Sequence, residues 1–112
     1  MSGSLRLIAA IYIVAYLLLT SCSGSVSSSD KQQAIDAAQQ VYQQSKAQGT
    51  DFSSGPCIAE QLPTLPDWSA DVAHNPRKPI DDQPSNQCQD YRQGKTHHFV
   101  ELDPDGNLIR AQ

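Results

Sequence analysis

Six of the seven prolines stand at positions 56, 63, 66, 76, 79 and 84. Each fixes φ, lacks an amide hydrogen and pushes the residue before it out of the helical region. Long helix is therefore forbidden between Thr50 and Gly94, where serine, aspartate and asparagine add turn signals. Regular structure there is limited to short strands. Cys57 to Leu62 is one candidate and Trp68 to His74 another; in the second, Trp68, Ala70, Val72 and His74 face one way and Ser69, Asp71 and Ala73 the other. From His74 to Gln87 the pairs Asn75-Pro76 and Lys78-Pro79 predict an ordered loop.

The flanks of this stretch have different chemistry. Asp30 to Gln48 is rich in Ala, Gln and Lys with neither Gly nor Pro, which predicts a helix. Ser29 with Gln32 forms a capping-box pattern, Asp30 suits the positive end of the dipole, and Gly49 is the stop. Ile35, Ala38, Val41, Tyr42 and Ser45 share one narrow amphipathic stripe, too weak to hold a helix in water without a packing partner. At the other flank His97 to Leu102 reads as a strand, Asp103-Pro104-Asp105-Gly106 as a tight turn with Gly106 at positive φ, and Asn107 to Arg110 as the return strand. The turn resembles part of an EF-hand loop, but Glu101 and Gln112 stand at the first and twelfth ligand positions and no helices flank it.

These pieces predict an α+β fold: one N-terminal amphipathic helix on a small antiparallel sheet that ends in a C-terminal β-hairpin. The expected core is Ile35, Val41, Tyr42, Phe52, Ile58, Leu62, Trp68, Val72, Tyr91, Phe99, Val100, Leu102, Leu108 and Ile109. The helix-then-hairpin outline is similar to small exported PepSY-type or cystatin-like modules, with no sequence motif tying it to either. Segments 68–77, 86–88 and 97–103 also look like small uncharacterised bacterial exported proteins, a likeness that implies no activity.

The first residues speak to location. Arg6 precedes an apolar run, Leu7 to Leu19, of about 13 residues, shorter than the roughly 20 a helical membrane span needs. Leu19-Thr20-Ser21-Cys22 resembles the lipobox of bacterial lipoproteins, in which a branched apolar residue and two small ones precede an acylated cysteine. The resemblance implies cleavage before Cys22, a diacylglyceryl thioether on its sulfur and a further acyl group (typically palmitate) on the new amino terminus. Two or three chains anchor stably in a membrane. Ser23 after the cysteine implies the outer membrane where the cell has one; an uncleaved, slightly short anchor helix is the alternative, and either arrangement puts the rest in the cell envelope, outside the cytoplasm. The expected division is 1–21 signal peptide, 22–29 lipidated cysteine and Ser/Gly tether, and 30–112 a small α+β domain.

Charge and motifs narrow function by exclusion. The chain carries 8 basic and 12 acidic residues, and Arg6 leaves with the signal, so the mature part is mildly acidic. Its bases are scattered, without the basic patch and interleaved aromatics of a nucleic-acid binder. It has no Gly-x-Ser-x-Gly elbow, phosphate loop, His-Glu-x-x-His or Cys-x-x-Cys, so no cofactor is implied. With Cys22 acylated, only Cys57 and Cys88 of the three cysteines are left, and an oxidising compartment makes them a disulfide.

The expected function is that of a membrane-anchored, non-catalytic binding or envelope-structure module that contacts lipid through Cys22 and an envelope protein or small anionic ligand through its surface. Alternatives are a metal-binding protein or hydrolase using His74, His97 and His98 with Asp71, and an inhibitor-like or immunity-like envelope factor acting through the proline-rich loop. The candidate ligand surface is His74, Arg77, His97 and His98: guanidinium beside imidazole suits a carboxylate or phosphate. Side-chain alternation keeps His97 and His98 from both lining it. The competing reading has these groups capping strand ends and pairing with Asp71, Asp81 or Asp82.

Overall fold

The structure, a computed structural model, describes residues 27–112. The expected signal peptide, lipobox, acylated Cys22 and most of the tether lie outside the described residues. Helix α1 spans Ser28–Ala47. Its N-cap is Ser27, whose Oγ accepts from the Asp30 amide at 3.1 Å, so the helix begins earlier than the Ser29 cap the sequence suggests. At the other end Gly49, at φ 82°, donates to the Lys46 carbonyl and Thr50 donates to that of Ser45, both at 3.0 Å. This pair of bonds is a Schellman closure, and it needs the left-handed residue that glycine supplies.

Four strands follow: β1 (Cys57–Ala59), β2 (Trp68–Val72), β3 (His98–Leu102) and β4 (Leu108–Ala111). A one-turn helix, α2 (Gln89–Arg92), precedes β3, and 3₁₀ turns at Pro79–Asp82 and Pro84–Asn86 break up the expected loop. The sheet order is β1-β2-β3-β4. β1/β2 and β3/β4 are antiparallel, but β2 and β3 run parallel, with Ala70 opposite Val100 and Asp71 opposite Glu101. The sheet is therefore mixed and not wholly antiparallel. A parallel neighbour needs a crossover of a dozen or more residues, and here the proline-rich stretch after β2 supplies it in place of a long helix. The terminal hairpin is as expected: Gly106, at φ 89°, donates to the Asp103 carbonyl at 2.9 Å.

Parallel register sorts the two faces. Trp68, Ala70, Val72, Val100 and Leu102 point to the side covered by α1 and join Ala34, Ala38, Tyr42, Phe52, Leu62 and Ala111 in one core. The residues of α1 that bury fully are Ala34, Ala38 and Tyr42, while Ile35 and Val41 are half-buried. Two alanines one turn apart let the helix backbone approach the sheet closely. Tyr91 and Leu108, expected in the core, are 42% and 44% exposed. Among the described residues no helix is long and apolar enough to cross a membrane.

Candidate ligand-binding cleft

The other face of the sheet is polar. Ser69 and Asp71 of β2, Phe99 and Glu101 of β3, and Arg110 of β4 point away from α1. Gln87, Cys88, Tyr91 and Arg92 cover them, and Arg77 closes one end, around a cavity of about 310 Å³. That is the small end of the range for ligand pockets, about 300–1,000 Å³.

The cover is held by two local devices. Cys57 and Cys88 form the expected disulfide, with Cα atoms 4.9 Å apart, and this ties the segment before α2 to edge strand β1. Glu60, just past β1, accepts from the amides of Gln89 and Asp90 at 3.0 and 2.8 Å, satisfying two of the orphan donors at the start of α2. Tyr91 then meets Phe99 edge to face with ring centroids 5.0 Å apart. The Arg110 guanidinium lies 5.2 Å from the Phe99 centroid. Beneath, the Ser69 hydroxyl donates to the Glu60 carbonyl at 2.7 Å and is 2.6 Å from the Thr96 hydroxyl.

Charge in the cleft is unevenly paired. Arg77 reaches Glu101 from Nη1 at 3.2 Å, and Arg110 reaches the other oxygen of Glu101 from Nε at 3.4 Å. Arg77 also donates from Nε to Asp82 at 2.8 Å. Asp71, directly opposite Glu101, has neither guanidinium within ion-pair reach, and its Oδ1 is shielded from solvent with no hydrogen-bond partner. Burial, and then the Glu101 carboxylate, push Asp71 up to about 7 against the pull of Arg77 and Arg110. A buried acid without a donor is costly, and such groups concentrate at functional sites.

The histidines singled out from the sequence do not converge. His74, just past the end of β2, has its Nδ1 2.9 Å from Asp81 Oδ1. His97 and His98 sit at the opposite end of the sheet, where Nδ1 of His97 and Nε2 of His98 lie 2.6 and 3.6 Å from the two oxygens of Asp67. That hydrogen bond from His97 is the main cause of the depressed Asp67 pKa. Because Trp68 is opposite His98, the run from Trp68 to His74 separates the histidines by roughly 20 Å at the rise of a strand. Three imidazoles so placed cannot share a metal ion. Of the four residues only Arg77 lines the cleft, and its fork is engaged by Asp82 and Glu101.

Two other ligand sets are spoken for. Asp103 accepts from the amides of Asp105 and Asn107 at 2.9 Å and from Asn107 Nδ2 at 3.1 Å, so its carboxylate shapes the hairpin turn. Cys57, Glu60 and Cys88 cluster closely, but the two sulfurs are bonded to each other. Sequence reasoning passed over Glu101 and Arg110. The available signal was the alternation in Phe99-Val100-Glu101-Leu102, which puts a carboxylate at the centre of an otherwise apolar strand. Compared with family models, curated proteins and solved structures, the chain matches none of them.

Proposed function

We propose that this chain is a lipid-anchored bacterial envelope protein whose mature domain is a non-catalytic binding module, with the polar cleft as its ligand-receiving surface. The observation that carries the cleft assignment is the Asp71 carboxyl, which lines the cavity with one oxygen shielded from solvent and unpartnered. A ligand that brings a donor or positive charge to the accessible side of this half-buried carboxyl would supply the counter-group it lacks. Support for the anchor comes from the Leu19-Thr20-Ser21-Cys22 pattern and the serine-rich tether after it.

Two features favour binding over catalysis. Ser69 spends its proton on the Glu60 carbonyl and is not poised as a nucleophile. Glu101 has one carboxylate oxygen on Arg77 and the other on Arg110, so both are engaged within the protein.

Two experiments test the proposal. Mass spectrometry of the membrane fraction should find Cys22 acylated at the amino terminus of the processed chain, and Cys22→Ser should accumulate as precursor; an unmodified thiol there removes the anchor. A small-fragment screen by two-dimensional NMR on the full chain in detergent should move resonances of Asp71, Tyr91, Phe99 and Glu101. Hits that map elsewhere remove the cleft assignment.

A further inference from the structure

Five charged side chains line the cleft: Asp71, Arg77, Arg92, Glu101 and Arg110. Three of them are joined in one ion-pair cluster, because Glu101 takes both Arg77 and Arg110, and Asp82 on the outer side of Arg77 brings the cluster to neutrality. Among the described residues the ion pairs leave out two, Asp71 and Arg92, one negative on the sheet and one positive on the cover. The same cavity is lined by Tyr91, packed edge to face on Phe99. A purely anionic ligand would have to share a cavity with the unpartnered Asp71 carboxyl, and a purely cationic one would leave Arg92 unanswered.

Resting on the cleft reading above, we infer that its ligand is a small zwitterion, an amino acid or short peptide with an apolar or aromatic side chain, whose ammonium meets Asp71 and whose carboxylate meets Arg92. An ammonium at the accessible side of the Asp71 carboxyl supplies the counter-charge that the ion pairs of the cleft do not give it, and charge-assisted bonds of this kind exceed neutral ones in strength. The guanidinium of Arg92 offers a planar fork matched to a carboxylate. The cavity of about 310 Å³ limits the ligand to small size, and the Tyr91 and Phe99 rings give its side chain an apolar surface. The backbone of the cover that carries Arg92 is pinned by the Cys57–Cys88 disulfide and Glu60, so the segment is in place before the ligand arrives and only the exposed Arg92 side chain has to be ordered on binding.

The test uses the full chain in detergent and calorimetric titration with glycyl-phenylalanine, its N-acetyl and C-amide derivatives, free phenylalanine, phenethylamine and glucose. Glycyl-phenylalanine or phenylalanine should bind at the cleft by NMR mapping, and blocking either end should weaken binding about tenfold or more. Asp71→Asn should erase the discrimination against the N-acetyl form alone. Arg92→Gln, at an exposed position, should erase that against the amide alone. Equal affinity for the blocked and free peptides overturns the inference. If phenethylamine or glucose occupies the cleft while both zwitterions do not, the zwitterion is wrong and the binding module stands; if no probe and no fragment moves the cleft resonances, both fall together.

Discussion

Asp71 and Glu101 face each other across the parallel ladder of β2 and β3, yet both guanidiniums that approach the pair contact Glu101 alone. Two carboxyls side by side in a half-covered cleft are thereby made unequal. The difference follows from which oxygen Arg77 and Arg110 can reach, and it leaves Asp71 without a counter-ion.

The inequality sets a pH dependence. Asp71 titrates near 7 in the folded chain and near 3.9 when unfolded, so between those values the native state holds more protons and stability falls as pH rises. The contribution is fully present below about pH 4 and gone above about pH 7, at most about 4 kcal/mol for the whole displacement. The groups facing Asp71 are Glu101, Arg77, Arg110 and Asp81. Asp71→Asn should gain roughly 1–3 kcal/mol over the native chain at pH 8 and little at pH 4. Urea unfolding at the two pH values measures it; parallel stability curves for the two proteins would sink the assignment.

Reduction of the disulfide should cost stability and the cleft together. Joining Cys57 to Cys88, 31 residues apart, removes loop entropy worth roughly 3–4 kcal/mol from the unfolded chain. The Cys57→Ala, Cys88→Ala pair should lose about that much in denaturant unfolding. Hydrogen exchange should quicken in α2 before it quickens in β2 or β3.

Asp81 is buried beside Gly55 and organises the turn after β2. Its carboxylate accepts from the amides of His74 and Lys78 at 3.0 and 2.9 Å. Burial raises its pKa, but these amides and the His74 ring outweigh that and hold it below the usual range. Stability from a depressed acid is present above its unfolded pKa and lost as pH falls through the folded one, so this contribution disappears only in acid, below about pH 4. Asp81→Ala should cost about 2–4 kcal/mol at pH 7 by leaving two amides unpaired. A change under about 0.5 kcal/mol would show that water replaces the carboxylate.

The helix and the hairpin meet at one side chain. Tyr42 donates to the Pro104 carbonyl at 2.7 Å, and a Cβ added at Gly106 would lie 2.6 Å from Tyr42 Cε1. Tyr42→Phe should lose about 1 kcal/mol, the net value of a hydrogen bond. Gly106→Ala combines positive φ with that clash and should cost more, about 2 kcal/mol. Thermal unfolding ranks the two; the reverse order would mean the turn shifts freely off the ring.

Part of the cleft was legible before the structure and part was not. Arg77 stood out because prolines flank its loop, and the alternation of β2 already put Asp71 opposite Val72. As large aromatics Tyr91 and Phe99 read as core in the sequence, whereas they form the wall of a cleft on the second face. Hydrophobicity reports that a side chain avoids water, not which surface it avoids water with. The histidines misled because closeness in composition says nothing of distance along a sheet.

The sequence by itself determined the local elements: a helix where alanine and glutamine run without Gly or Pro, short strands among the prolines, a hairpin at Pro104-Asp105-Gly106, and a disulfide between the two cysteines beyond Cys22. The helix, strands and hairpin follow from backbone preferences acting over a few residues, and the disulfide from there being two cysteines left to pair in an oxidising compartment. Only the tertiary structure decided that β2 and β3 run parallel, that Ala34 and Ala38 rather than Ile35 and Val41 lie deepest, and that Glu101 takes both arginines while Asp71 takes none. Strand direction depends on how the crossover closes, and ion pairing on ångström distances between groups far apart in the chain. Neither quantity is carried by any short window of residues.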